Sequence, residues 1–149
     1  MKIKCLALAL LASASMPAFA ADCATTVEAN DKMQFNVKSI EIPKSCKSFD
    51  VTLKHTGKLP KQAMGHNIVV TSNADFNGVS TDGIKAGAAA DYVKAGDTRI
   101  IAHSKMIGGG ETTQFSIPVD KIKAGESYTF FCSFPGHAGL MKGTLKLGS

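Results

Sequence analysis

Along residues 49–54, Phe49, Val51 and Leu53 alternate with Asp50, Thr52 and Lys54. That period of two marks a strand with one dry and one wet face, because successive side chains leave a strand on opposite sides. Related runs recur. Phe35, Val37, Ile40 and Ile42 lie largely two apart in one predicted strand that Pro43 ends, and further strand-like stretches occupy residues 67–71, 99–102, 113–119, 127–131 and 143–147. Gly57, Gly96, Gly125 and the triplet Gly108, Gly109 and Gly110 supply turns between them. Half-dry strands of this length bury their apolar faces by laying one sheet on another. The expected fold is therefore all-β, a Greek-key β-sandwich of about eight strands. Residues 74–94 break the rhythm, being rich in Ala and Gly with Asp82, Ile84 and Tyr92 interspersed. They read as an inserted excursion with helix in two short pieces parted near Gly87, since Gly83 and Gly87 disfavour one long helix. No repeat and no Pro- or Ser-rich linker divides the chain, so one domain is expected.

The first twenty residues read as an export signal. Lys2 and Lys4 precede an apolar run, and Ala18-Phe19-Ala20 forms a small-x-small cleavage site. The run is too short for an ordinary membrane span, and Cys5 lies ahead of it, away from any cleavage point, so no lipid anchor is expected. Residues 1–20 are thus assigned to a cleaved signal peptide and 21–149 to a soluble exported domain. Cleavage leaves about 130 residues, enough for one domain with its own core. It also lowers the net charge from +5 to about +3, with no basic run, which suits a solvated surface and argues against nucleic-acid binding.

Three cysteines remain after cleavage: Cys23, Cys46 and Cys132. In an oxidising compartment two of them pair. Cys23 and Cys46, both near the N-terminus, are the expected pair, and closing their loop stabilises the fold by about 3 kcal/mol on the chain-entropy model. Cys132 is left over and needs another role.

That role is suggested by its neighbours. The segment Phe131-Cys132-Ser133-Phe134-Pro135-Gly136-His137-Ala138-Gly139-Leu140-Met141 places a Cys, a His and a Met on one loop between the last two strands. Pro135, Gly136 and Gly139 keep that loop from becoming helical. Thiolate, imidazole and thioether are donors that hold copper in both oxidation states, and two His with one Cys plus a distant axial Met is the ligand set of electron-transfer copper sites. The second His must come from elsewhere. His66 is the choice over His55 and His103, because it opens the 67–71 strand and Gly65 before it lets a backbone carbonyl approach a metal. Zinc accepts much the same donors.

Cys-x4-His-x3-Met, with an upstream Gly65-His66-Asn67 opening a strand, resembles the azurin family's ligand pattern, whereas plastocyanin-like relatives generally have a shorter Cys-to-His spacing. The likeness runs over nearly the whole of residues 21–149, including the Cys23/Cys46 pair, the Ala-rich insertion and the Thr-Phe-Phe-Cys strand ending. The resemblance implies a copper site at one end of an eight-stranded Greek-key sandwich, with metal ligands His66, Cys132, His137 and Met141 and a weak carbonyl contact from Gly65 opposite Met141. It implies backbone N–H groups of Asn67 and Phe134 directed at the Cys132 sulfur, with the Asn67 side chain tying the two ligand loops together. Many members carry a buried Trp; this chain has none, and Ile68 is expected in that neighbourhood. His55 is expected inside the protein near the copper end, either as a packed residue or as a pH-linked one, and His103 at the surface.

The implied function is a periplasmic electron carrier passing electrons between redox proteins by outer-sphere transfer, copper cycling between Cu(II) and Cu(I). A c-type cytochrome, a nitrite reductase or a peroxidase would fit as partner, and a monomer is the default. Met64, Phe134, Pro135 and Leu140, joined by Leu59 and Met33, are candidates for an apolar docking patch around His137. An oxidase or nitrite reductase is the rival reading. It needs a second copper held by further histidines, and only His55 and His103 remain, with no His-x-His pair. Copper storage or delivery is a third reading, which favours exposed, exchangeable Met or Cys clusters.

Overall fold

The alternation over residues 49–54 builds the central strand of one sheet. The structure, a computed structural model, describes residues 22–148, so the expected signal peptide lies outside the described residues. Nine strands form: β1 (Ala24–Asn30), β2 (Gln34–Phe35), β3 (Ser39–Ile42), β4 (Ser48–His55), β5 (Val69–Ser72), β6 (Ile100–His103), β7 (Thr112–Pro118), β8 (Tyr128–Phe131) and β9 (Lys142–Leu147), with helices α1 (Lys61–Met64) and α2 (Phe76–Ala86). One sheet has the order β2-β1-β4-β7 and the other β3-β9-β8-β5-β6. Pairs β1–β4 and β3–β9 run parallel and the other strand pairs antiparallel. In β4 the buried side chains are Phe49, Val51, Leu53 and His55. The three apolar ones meet Val27, Phe35, Ile42, Ile68, Phe130 and Leu145 in the core between the sheets.

The expected single strand over residues 35–42 is in fact two strands in different sheets. Phe35 pairs with β1 and Ser39–Ile42 with β9, the chain bending across the sandwich at residues 36–38. The physical reason is parity. Phe35 and Val37 are odd and Ile40 and Ile42 even, so one flat strand would bury one pair and expose the other. Smaller corrections follow hydrogen bonding. β5 begins at Val69 rather than at residue 67, and β7 ends at Pro118 with Val119 opening a short 3-10 turn (Val119–Lys121). The insertion forms α2 and a second short turn of 3-10 helix (Ala88–Ala90), parted at Gly87.

α2 covers the outer face of the second sheet. Val79 and Phe76 pack with Val69, Val93 and Phe131 in a second apolar cluster, the Phe76 and Phe131 rings meeting edge-on at 4.9 Å. β5 and β8 are therefore buried on both faces, which is why their sequences run apolar with weak alternation. Cys23 and Cys46 form a disulfide with Cα atoms 5.6 Å apart, tying the start of β1 to the approach of β4. No helix among the described residues is long and apolar enough to cross a membrane.

Candidate metal centre

Cys132 follows the last residue of β8, and its side chain is fully buried. The loop after it closes on itself through backbone hydrogen bonds. The His137 N–H donates to the Phe134 carbonyl (3.0 Å), the Met141 N–H to the His137 carbonyl (2.8 Å) and the Cys132 N–H to the Met141 carbonyl (2.9 Å). Met141, itself fully buried, thus sits beside Cys132 just before β9 begins. The same folding turns His137 inward, its Nδ1 3.6 Å from the Cys132 sulfur.

His66 reaches the same point from the other side. It forms an isolated antiparallel bridge with Ile107, exchanging backbone hydrogen bonds of 3.0 and 2.9 Å. Its Nε2–H donates to the Asn30 carbonyl at 2.9 Å, which fixes the tautomer and leaves the Nδ1 lone pair directed at Cys132 Sγ, 3.9 Å away. The Gly65 carbonyl lies 3.7 Å from the same sulfur. Only glycine allows that approach, because a Cβ on Gly65 would stand 2.6 Å from the Lys61 carbonyl and 2.9 Å from the Met106 sulfur.

Burial sets the charge state. It pushes the Cys132 thiol up to about 11 against the opposing pull of the Asn67 and Phe134 backbone N–H groups. It lowers His66 to about 4, the Asn30 carbonyl acting the other way, and lowers His137 as well. At neutral pH the pocket holds two uncharged imidazoles with free lone pairs and one protonated thiol, a set that a cation completes by displacing that proton. The donor atoms of His66, Cys132 and His137 lie within 4.8 Å of one another. A metal bonded at about 2.0–2.1 Å to nitrogen and about 2.3 Å to sulfur, with angles near 110–120°, sets N–S separations of about 3.6–3.8 Å. The observed 3.6 Å to His137 falls within that span and the 3.9 Å to His66 lies about 0.1 Å beyond it, and the thiolate–imidazole–thioether donors fit copper.

Asn67 clamps together the segments that carry His66 and Cys132. Its Oδ1 accepts the Ser133 N–H (2.9 Å) and its Nδ2 donates to Ser133 Oγ (2.8 Å) and to the Asp91 carbonyl (3.1 Å). Through Asp91 the inserted segment joins the site, and Tyr92 sets its ring edge-on to Phe134 at 5.4 Å. Ser133, Asn30 and Asp91 were not among the residues singled out from the sequence. Ser133 sits inside the ligand loop and could have been found there; the other two act through backbone carbonyls, which carry no residue signature.

The remaining histidines direct no nitrogen at Cys132. His55 is buried and stacks on His66 at 4.4 Å between ring centroids. Its Nδ1 accepts the Gly57 N–H (3.0 Å) and its Nε2–H donates to the Met64 carbonyl (2.9 Å), so both ring nitrogens are occupied. His103 is exposed on β6. Of the apolar candidates, Leu140 is 60% exposed and Leu59 42%, Pro135 is exposed, and Met64, Phe134 and Met33 are half-buried. His137 has only a 3% exposed edge. Its Nε2 makes no hydrogen bond to the protein, and among the described residues no buried side-chain nitrogen lacks a partner, so Nε2 is the edge that water reaches.

Residues 21–148 match a family described as copper binding proteins, plastocyanin/azurin family. The chain is 63% identical over 129 residues to azurin-2 of Alcaligenes xylosoxydans xylosoxydans, spanning 87% of this chain and 100% of that one. It is 58% identical over 140 residues to the azurin of Achromobacter denitrificans, 94% of each chain. A solved structure of azurin (Az-iso2) from Methylomonas sp. strain J superposes with a TM-score of 0.83 at 45% identity, covering 87% of this chain and 100% of that one.

Proposed function

We propose a working mechanism from the premise that the chain belongs to the plastocyanin/azurin family of copper-binding proteins. It is a blue copper electron carrier with a single copper site. The residues that would hold the copper are His66, Cys132, His137 and Met141, with the Gly65 carbonyl, 3.7 Å from the Cys132 sulfur, as a further weak contact. Copper supplies the one-electron Cu(II)/Cu(I) couple. The chain's own residues do the rest. Cys132 provides the strongest bond, its negative charge steadied by the Asn67 and Phe134 N–H groups. His66 is held by Asn30 and Ile107 and cannot swing away, Met141 tunes the potential, and the Nε2 edge of His137 is the outlet.

The observation that carries this reading is convergence. Three donor atoms meet in a buried pocket, held there by the packing and hydrogen bonds of the chain itself. Cys132 and His66 are closed to solvent, which leaves an electron, not a substrate, as what can pass. A carrier rather than an enzyme also fits the histidine inventory, because His55 is occupied at both nitrogens and His103 stands on β6. A preformed buried site likewise favours electron transfer over copper delivery.

Redox proteins are the partners. A c-type cytochrome, a nitrite reductase or a peroxidase would each serve, meeting a monomer at the apolar face of Met64, Phe134, Pro135 and Leu140. The reading includes export to the periplasm on a signal peptide at residues 1–20, with residues 21–149 as the copper domain. The protein reconstituted with Cu(II) is expected to bind one copper ion and give a reversible one-electron wave in protein-film voltammetry. A catalytic current on adding nitrite or dioxygen, or no wave from folded, loaded protein, contradicts the carrier.

A further inference from the structure

We infer that the apolar face around His137 is rimmed by unpaired lysine ammonium groups that select a redox partner with carboxylates around its own electron port. This rests on the docking face proposed above. Among the described residues, two of the three exposed large apolar side chains, Leu59 and Leu140, stand at this end; the third, Ile84, is on α2. Lysines flank both. Lys38 places its Nζ 3.5 Å from the Leu140 carbonyl. Lys58 precedes Leu59 in the chain, and Lys32 follows Asp31, whose carboxylate accepts the N–H groups of Lys58 (2.8 Å) and Leu59 (3.3 Å). All three lysines are exposed. Among the described residues none of the three has a carboxylate at ion-pair distance.

The carboxylates woven into the same loops are turned to the protein's own donors. Asp31 takes the two N–H groups above, Glu111 takes the Gly108 N–H at 2.7 Å, and Asp91 takes the Met106 N–H at 3.1 Å and lies 3.7 Å from Lys61. Their charge is partly spent internally while the lysine charge points outward. Elsewhere several cations are answered locally, Arg99 and Lys94 by Asp82 and Lys146 by Glu41. Among the described residues Lys44, Lys47 and Lys121, around the disulfide end, likewise have no carboxylate at ion-pair distance and serve as a control of equal charge. Because screening at physiological salt confines fields to about 8 Å, charge beside the outlet steers a partner far more than the same charge at the opposite end.

The test uses copper-loaded, reduced full-length mature protein and stopped-flow oxidation by two ferric c-type cytochromes, one with a carboxylate-ringed haem edge and one with a lysine-ringed edge. Three proteins are compared: the wild type, the rim variant Lys32→Glu/Lys38→Glu/Lys58→Glu, and the far-end variant Lys44→Glu/Lys47→Glu/Lys121→Glu. At an ionic strength of about 0.1 M, where the Debye length is about 10 Å, the rim variant is expected to lose several-fold in rate with the acid-ringed cytochrome and to gain with the lysine-ringed one. The far-end variant is expected to change by clearly less, and the three to converge at high salt. Equal losses in the two triple variants, or no loss in the rim variant, overturn the rim. The docking face is read separately with Leu140→Gln at high salt. A slower rate there together with equal triple variants overturns the rim alone, whereas an unchanged Leu140→Gln rate overturns the face on which it stands.

Discussion

A methyl group on Gly65 has nowhere to go, since the Lys61 carbonyl lies 2.6 Å and the Met106 sulfur 2.9 Å from where it would sit. Its φ of −64° and ψ of 142° suit alanine, so the obstacle is space alone. Gly65→Ala is therefore expected to destabilise the metal-free protein by about 1–3 kcal/mol, the usual range for overpacking. It should also move a carbonyl that faces Cys132, altering the copper hyperfine splitting in electron paramagnetic resonance. Urea unfolding and a spectrum both matching the wild type would refute the contact. At this scale the sequence was informative where chemistry is tied to residue type. A thiol, an imidazole and a thioether at short spacing point to a soft metal, and His66 followed from its place at a strand entrance. The hydrogen bond from His66 to the Asn30 carbonyl was not legible, because any residue at position 30 offers a carbonyl and only the tertiary fold brings it to the ring.

The inserted segment is held to the sandwich by a charged knot as well as by packing. Arg99, just before β6, donates to Asp97 from Nε (2.9 Å) and Nη2 (2.6 Å) and reaches Asp82 on α2 at 2.7 Å. The Arg99 guanidinium holds the Asp97 carboxyl down from 3.8 to about 2 and lowers Asp82 too. A depressed folded-state value stabilises the fold at pH above the unfolded value and loses that contribution as pH falls through the folded one. The thermal midpoint of Asp97→Asn should thus lie below that of the wild type by a constant margin at neutral and mildly acidic pH, shrinking between about pH 4 and 2. A margin that stays constant through that interval would show the knot adds nothing pH-linked. Elements differed in legibility for physical reasons. β4 was plain because one face is dry and one wet, whereas β1 was not assigned because its buried residues are only Val27 and Ala29. The odd-to-even shift between Val37 and Ile40 marks the change of sheet, but its meaning depends on having two sheets to cross between. α1, four residues long after Pro60, is too short for periodicity to reveal.

Across the whole molecule, β1 connects two differently built ends. Cys23 precedes its first residue and is tied to Cys46. Asn30, its last, accepts the His66 hydrogen bond, about 23 Å further on at a strand's rise per residue. The disulfide holds the far end, and the sandwich brings the segments carrying His66 and Cys132 together at the near end, where Asn67 and Ser133 lock them. The overall architecture was legible from strand period, turns and cysteine arithmetic, since each reflects a global constraint on a chain of this length. The precise meeting of Cys132, His66 and His137 required the folded chain. The central claim, that this convergence is a thiolate–copper electron-transfer site, is tested most directly by the visible absorption spectrum of the mature protein after demetallation and reconstitution with Cu(II), beside Cys132→Ser. An intense blue charge-transfer band in the wild type that vanishes in the variant is the expected result. A pale or absent band from folded, copper-loaded wild type would contradict the account.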